Sequence, residues 1–416
     1  MRSNYLKTIL KTAVLAVTTL LLAVGVSSAQ VSLTAAPATA TLPDGQVIPM
    51  WGYTCTGATT PNTCSALNPN AGAGWSPILI TAPTGSTLSI TLSNQLPAGV
   101  PTSLVIVGQL GGGLGAAPSR TPSPYHNPQG TTWPIPGSPD TNPPTTGDPT
   151  FTPPMQHDRV QSFGTEVLSG ATTPSTSPLK WENLKAGTYL IESGTHPSIQ
   201  GPMGLFGVLV VTDSSTNPAT AYPAGTYPAV QYNADIPLLL SEIDPVQNKA
   251  VYIAVNTSGF SETAPWSGQP GACGDPTVHS CYPPAVNYDP RYYLINGVSF
   301  DKTNTTPSLF GPTTNVTGTV LVRFVNAGLR MHIPSIVGAQ TGSSTSPSSG
   351  FSLIAEDGNV LPGTPRIQSE VFLAAGKTYD VLINALSGAL PVFDRQLSLS
   401  TNNQRDGGMQ AYIRTT

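Results

Sequence analysis

Charge is scarce in this sequence. Asp, Glu, Lys and Arg make up 9% of its 416 residues, against about 25% in an ordinary soluble domain. The 17 basic and 21 acidic side chains leave a net charge of −4. Such a chain has no basic stripe to hold a phosphate backbone, so a nucleic-acid partner is excluded. Charge-driven disorder is excluded as well, because 39% of the chain is apolar. After residue 29 no hydrophobic run is long enough to span a bilayer as a helix, so no transmembrane segment is expected in the mature chain. A sustained apolar stripe at i, i+3, i+4 is missing over the same span, so long helices are not expected. The G-x-S-x-G elbow, the Walker loop and H-E-x-x-H do not occur. Histidine numbers only five and aromatics 7%.

What the chain has in quantity is Gly (41) and Pro (43), with much Ser, Thr and Val. These residues write short strands joined by many turns. Leu88, Ile90 and Leu92 alternate with Ser and Thr, the period of a half-buried strand. Short apolar runs follow at 103–107, 188–192 and 207–211. A second series covers 236–240, 292–295, 320–325, 352–355, 379–383 and 396–400, with Leu397 and Leu399 on one face of the last. From about 111 to 154 the pattern collapses into Pro-dense sequence unsuited to a strand interior or a helix. It reads as a long loop insertion within the first domain. The acids Glu242, Asp244, Glu356 and Asp357 lie near strand ends, where they are expected to satisfy loop backbone groups.

The N-terminus has Arg2, Lys7 and Lys11 before an apolar run from Ala13 to Val26, closed by Ser27-Ser28-Ala29. That is the layout of a secretory signal peptide over 1–29, with a mature chain starting near Gln30. The expected localisation is export, to the periplasm, the cell surface or the extracellular space. Four cysteines fit an oxidising compartment. Cys55 with Cys64 and Cys273 with Cys281 are close in sequence, each pair in a loop-like stretch, and two local disulfides are expected. The C-x-x-C spacing of zinc or redox sites is absent.

The run Gly187-Thr-Tyr-Leu-Ile-Glu-Ser-Gly-Thr-His196, followed by Gly204-Leu-Phe-Gly-Val-Leu-Val-Val211, resembles the end of the first cupredoxin domain of a multicopper oxidase. Upstream, Thr102-Ser-Leu-Val-Ile-Val-Gly-Gln109 stands in the place of that family's His-Trp-His-Gly strand. Leu321 to Gly328, Ile354 to Gly358 and Ala375 to Ile383 resemble its second, copper-free domain. Ser-Gly-Thr-His-Pro in the first of these motifs is similar to the large exported bacterial branch associated with manganese oxidation. The resemblance implies an all-β chain of two cupredoxin-like Greek-key β-sandwiches. They would span 30–230, with the Pro-rich excursion at about 111–154, and 231–416.

It also implies copper, and here the sequence departs from the family. Copper oxidation needs His-x-His pairs, because alternate residues of one strand aim two imidazoles the same way. The first pair's places hold Val105 and Val107, and the second pair's hold Glu192 and Gly194. No His-x-His or His-Cys-His occurs in the chain. The Val105/Val107 face is therefore expected to be core packing. His196 is the candidate metal ligand, with Glu192 and Met203 nearby in sequence, and His332 precedes a strand in the second half. His126, His157 and His279 lie in loop segments. No copper is expected on this chain alone, and no catalytic residue is assigned.

Two functions follow. In the first, the chain is the N-terminal two-domain part of a copper-dependent oxidoreductase of metal ions or phenols. It would not be competent alone, and further cupredoxin domains or a partner chain would carry the copper ligands. In the second it is a copper-free cupredoxin module with a binding or structural role at the cell surface.

Overall fold

The structure, a computed structural model, describes residues 30–70, 74–113, 119–121, 129–130, 150–151, 159–174, 176–212, 218–225, 228–343 and 345–415. The expected signal peptide, His126 and His157 lie outside the described residues. The regular structure of the described chain is nearly all strand, arranged as two β-sandwiches.

In the first sandwich, one sheet runs in the order Leu179–Trp181, Leu88–Asn94, Gln30–Thr41, Val47–Ala58. The facing sheet runs Thr63–Ala66, Ile78–Ala82, Phe206–Val211, Gly187–Glu192, Val105–Ile106. Each sheet contains one parallel ladder, Gln30–Thr41 on Leu88–Asn94 and Phe206–Val211 on Ile78–Ala82. Parallel neighbours need a crossover, so the chain passes from sheet to sheet and cannot meander within one. Inward positions alternate as the period predicts: Val31, Leu33 and Ala35 meet Ile78, Ile80 and Leu88, Ile90, Leu92.

The second sandwich has a large sheet built on Ala234–Ile243, Thr319–Asn326, Thr378–Asn384 and Phe351–Glu356, with Tyr292–Ile295 on one edge. Its partner sheet contains Leu309–Phe310, Gln410–Arg414, Ala389–Asp394 and Pro334–Ile336. The two sandwiches share a third apolar layer, where Leu190, Phe206, Val208 and Val210 pack on Leu239, Ile243, Leu294 and Val325. Phe206–Val211 is therefore buried at every residue, which is why it reads as a continuous apolar run.

Beside that layer a guanidinium is fully buried. Arg323 donates to Asp235 (2.9 Å), Thr188 (3.0 Å) and Asp380 (3.3 Å) and lies over the Tyr232 ring. Thr188 and Tyr222 each donate to Asp380 at 2.6 Å. The strand Gly187–Glu192 of one sandwich is thus hydrogen-bonded into the other.

Several expectations need correction. The stretch around Cys55 and Cys64 is not a loop: Cys55 lies on Val47–Ala58 and Cys64 on Thr63–Ala66. These are edge strands of opposite sheets, so the Cys55–Cys64 disulfide staples the first sandwich across its open side. The second bridge, Cys273–Cys281, does close a loop. No strand forms over 396–400. Leu397 takes a left-handed φ of 62° and is 69% exposed, so the alternation there is a turn. Ser119–Thr121, Gln129–Gly130 and Thr150–Phe151 are short strands inside the Pro-rich excursion, placed between its prolines. A helix unmarked by any stripe covers Pro245–Val255. Its buried side includes Gln247 and Asn248, whose amide nitrogens donate to Ser198 O and Pro49 O, so polar side chains break the apolar period. Asp244 caps it by accepting from the Val246 and Gln247 N–H groups.

Candidate functional site

The strand Val105–Ile106 lies against Gly187–Glu192, with Val105 opposite Glu192 and Ile106 opposite Ile191. The places of the two His-x-His pairs are thus brought side by side. Their side chains differ from the expectation of core packing. Ile106 is the buried residue of the strand, while Val105 is half-buried and Val107 is 37% exposed. Alternation puts 105 and 107 on the face opposite Ile106, away from the sandwich interior. Burial pushes the Glu192 carboxyl above the ordinary range.

Gly194 decides whether this place fits copper. A Cβ added there would come within 2.5 Å of Val105 Cγ2 and 3.1 Å of Ser103 Oγ. The position is closed to any side chain unless Val105 moves. Beneath it lies a buried hydroxyl network. Thr195 Oγ1 is 3.0 Å from both Ser103 Oγ and Ser162 Oγ, and 3.3 Å from Glu166 Oε1. Gln200 Oε1 accepts from Thr102 (2.8 Å) and Ser193 (2.6 Å), while its amide nitrogen donates to Pro101 O. Neutral hydroxyls and amides are poor ligands for copper, which takes thiolate and imidazole. Among the described residues no group of three or more His, Cys, Asp or Glu is placed to hold a metal ion. These residues do not fit the copper cluster that the resemblance implies.

His196 stands at the start of the four-residue helix Pro197–Gln200, held in a left-handed conformation at φ 41°. Its Nε2 donates to Glu262 Oε2 at 3.1 Å, and its ring meets Tyr282 edge-on at 5.3 Å. Glu262 Oε1 accepts from the Gln161 amide at 2.9 Å. The sequence neighbours suggested for His196 sit elsewhere: Glu192 is on the ladder beside Val105, and Met203 is in the core. Instead the imidazole helps line a cleft of about 440 Å³ with Gln161, Glu262, Trp266 and Tyr282. Sequence reading missed Glu262, Gln161 and Trp266, of which Gln161 comes from the strand Arg159–Ser162 and the other two from one loop after the helix Pro245–Val255. The available signal was a tryptophan set in a Pro/Gly loop beside a predicted disulfide.

A second cluster lies in the other sandwich. His332, one residue ahead of Ile333 and the strand Pro334–Ile336, is enclosed by two carboxylates. Its Nε2 donates to Glu242 (2.5 Å) and its Nδ1 to Asp394 (3.0 Å). Glu242 also accepts from the N–H groups of Leu329 and Arg330 and from the Tyr288 hydroxyl. Burial alone would lower the imidazole's pKa. The bonds and charges of Asp394 and Glu242 outweigh that and raise it to about 9. Burial likewise opposes ionisation of Asp394, but His332 and the Ile333 and Gln396 N–H groups hold it below the usual range. With both ring nitrogens engaged, His332 is a structural cation.

No known family profile matches the chain, and no curated protein matches it by sequence. Solved structures do. A blue copper oxidase from Nitrosomonas europaea superposes with TM-score 0.52 and 16% identity over 92% of this chain and 85% of that one. A copper nitrite reductase from the same organism gives 0.51 and 13%, over 93% of each chain. The fold is a cupredoxin pair. Fet3p, a multicopper oxidase that functions in iron import, gives 0.51 and 14%, with 93% of this chain covering 52% of that one. At such identities the likeness is one of fold. The chemistry of the cupredoxin pair rests on its own side chains.

Proposed function

We propose that this chain is an exported, copper-free cupredoxin pair that works by binding, with the cleft at His196, Glu262 and Trp266 as its ligand site. The observation that carries this reading is Gly194, packed under Val105 where a second imidazole would stand. Two disulfides support export, since they persist in oxidising compartments. Metal analysis of the chain produced in copper-supplemented medium tests the reading. The expected result is no stoichiometric copper, no blue absorbance and no oxidase turnover. Stoichiometric copper with blue colour overturns it.

A second reading has one supporting observation, the 52% share of Fet3p that the chain covers. In it the chain is the N-terminal part of a copper-dependent oxidoreductase of metal ions or phenols, with ligands supplied by further cupredoxin domains or a partner chain. The manganese-oxidising branch belongs to this reading and is supported by the Ser-Gly-Thr-His-Pro run alone. A His-Cys-His segment encoded in frame beyond Thr416, or in an adjacent gene, is what this reading requires.

A further inference from the structure

Resting on the binding reading, the chemistry of the same cleft points to a ligand class. We infer that it takes a neutral hexopyranose ring of a polysaccharide. Trp266 is 49% exposed although its indole is backed by the chain. A Cβ added to Gly274 would come 2.3 Å from Trp266 Nε1, and one added to Gly268 would come 3.1 Å from its six-membered ring. Gly274 lies inside the loop closed by Cys273–Cys281. The indole therefore rests on a cross-linked backbone and offers a flat apolar surface with little rotamer entropy left to lose on binding. A pyranose presents a matching flat face of C–H groups, and its rim of hydroxyls needs partners that both donate and accept.

The cleft supplies such partners in a fixed arrangement. Glu262 accepts from His196 at 3.1 Å and from Gln161 at 2.9 Å, so imidazole, carboxylate and amide are locked to one another before a ligand arrives. Each retains hydrogen-bonding capacity beyond these contacts, because a carboxylate has about four acceptor positions and the amide oxygen accepts as well. Among the described residues the lining holds no Lys or Arg, which disfavours a phosphate or a carboxylate ligand. Among the described residues of the lining, one aromatic, Trp266, presents a broad open face. Tyr282 is 8% exposed and packed on Phe260 and His196, so the aromatic cage that holds a quaternary ammonium is not formed. The volume of about 440 Å³ falls within the roughly 300–1,000 Å³ of small-ligand clefts.

The test is titration of the full mature chain with cellohexaose, maltohexaose, mannohexaose and chitohexaose, followed by tryptophan fluorescence and calorimetry. Saturable binding of at least one is expected. Trp266→Ala should weaken it about tenfold or more, and Glu262→Gln by about threefold or more. Thermal melts establish that each variant is folded. Should Trp266→Ala fail to fold, Glu262→Gln alone decides. Binding that survives a folded variant unchanged overturns the inference. So does saturable binding of choline or of a polyproline decapeptide with all four sugars silent. Copper is measured on the same sample. A copper-loaded, oxidase-active protein overturns the binding reading, whereas a copper-free protein silent to every sugar overturns the sugar assignment alone.

Discussion

Raising the pH above neutrality should destabilise the second sandwich, because His332 is a buried cation in it that can lose its proton. An unfolded His titrates near 6.5, and in the folded chain the group is raised to about 9. A raised pKa means that the folded state binds the proton more tightly. The stabilisation is therefore complete below about pH 6.5 and is lost as pH climbs toward 9. At about 1.4 kcal/mol per unit, the difference amounts to about 3 kcal/mol in all. The side chain is 1% exposed, so solvent screening takes little from that figure. The groups facing it are Glu242, Asp394 and the edge of the Tyr293 ring, with Tyr288 donating to Glu242 from the next shell out. The assay is urea unfolding from pH 6 to pH 10 for the wild type and His332→Gln. The wild type should lose most of the 3 kcal/mol between about pH 6.5 and pH 9, and the variant should start lower and lose little more in that window. A wild-type midpoint that stays flat across the window, or a variant with the same slope, refutes the reasoning.

Other outcomes follow from the packing. Asp380→Ala leaves the Arg323 guanidinium short of a buried partner and should cost about 3–5 kcal/mol in urea unfolding. Gly194→Ala should destabilise by about 1–3 kcal/mol through its clash with Val105. Adding Val105→Ala to that variant should recover most of the loss, and no recovery would mean the contact is wrongly assigned. Replacing Cys55 and Cys64 together by Ser should cost about 2–3 kcal/mol, the value for a short closed loop, read from the melting curve under non-reducing conditions.

The strands legible in the sequence were those whose period or apolar run survives in one face of a sheet, such as Leu88–Asn94, Thr319–Asn326 and Thr378–Asn384. The helix at Pro245–Val255 was hidden because Gln247 and Asn248 stand where apolar residues would mark it. Its Asp-Pro start was visible, since Asp followed by Pro is a common helix opening. Leu397 and Leu399 misled in the opposite sense, because alternation over a few residues does not reveal a left-handed backbone. At the site, His196 was singled out but its partner Glu262 is 66 residues further along. Pairing across that distance depends on how the Cys273–Cys281 segment folds back, and no local pattern encodes it. The trio of Glu242, His332 and Asp394 was beyond reach for the same reason. Each member is an ordinary polar residue until three strand ends converge.

The doubly covered strand Phe206–Val211 bears on how the molecule comes apart. Leu190, Phe206, Val208 and Val210 would become a broad greasy sheet face in water if the second sandwich melted first. An intermediate with one sandwich folded would therefore be sparse at equilibrium and prone to stick to its own kind. The chain should unfold as one cooperative block, and dividing it between the sandwiches would yield an insoluble half.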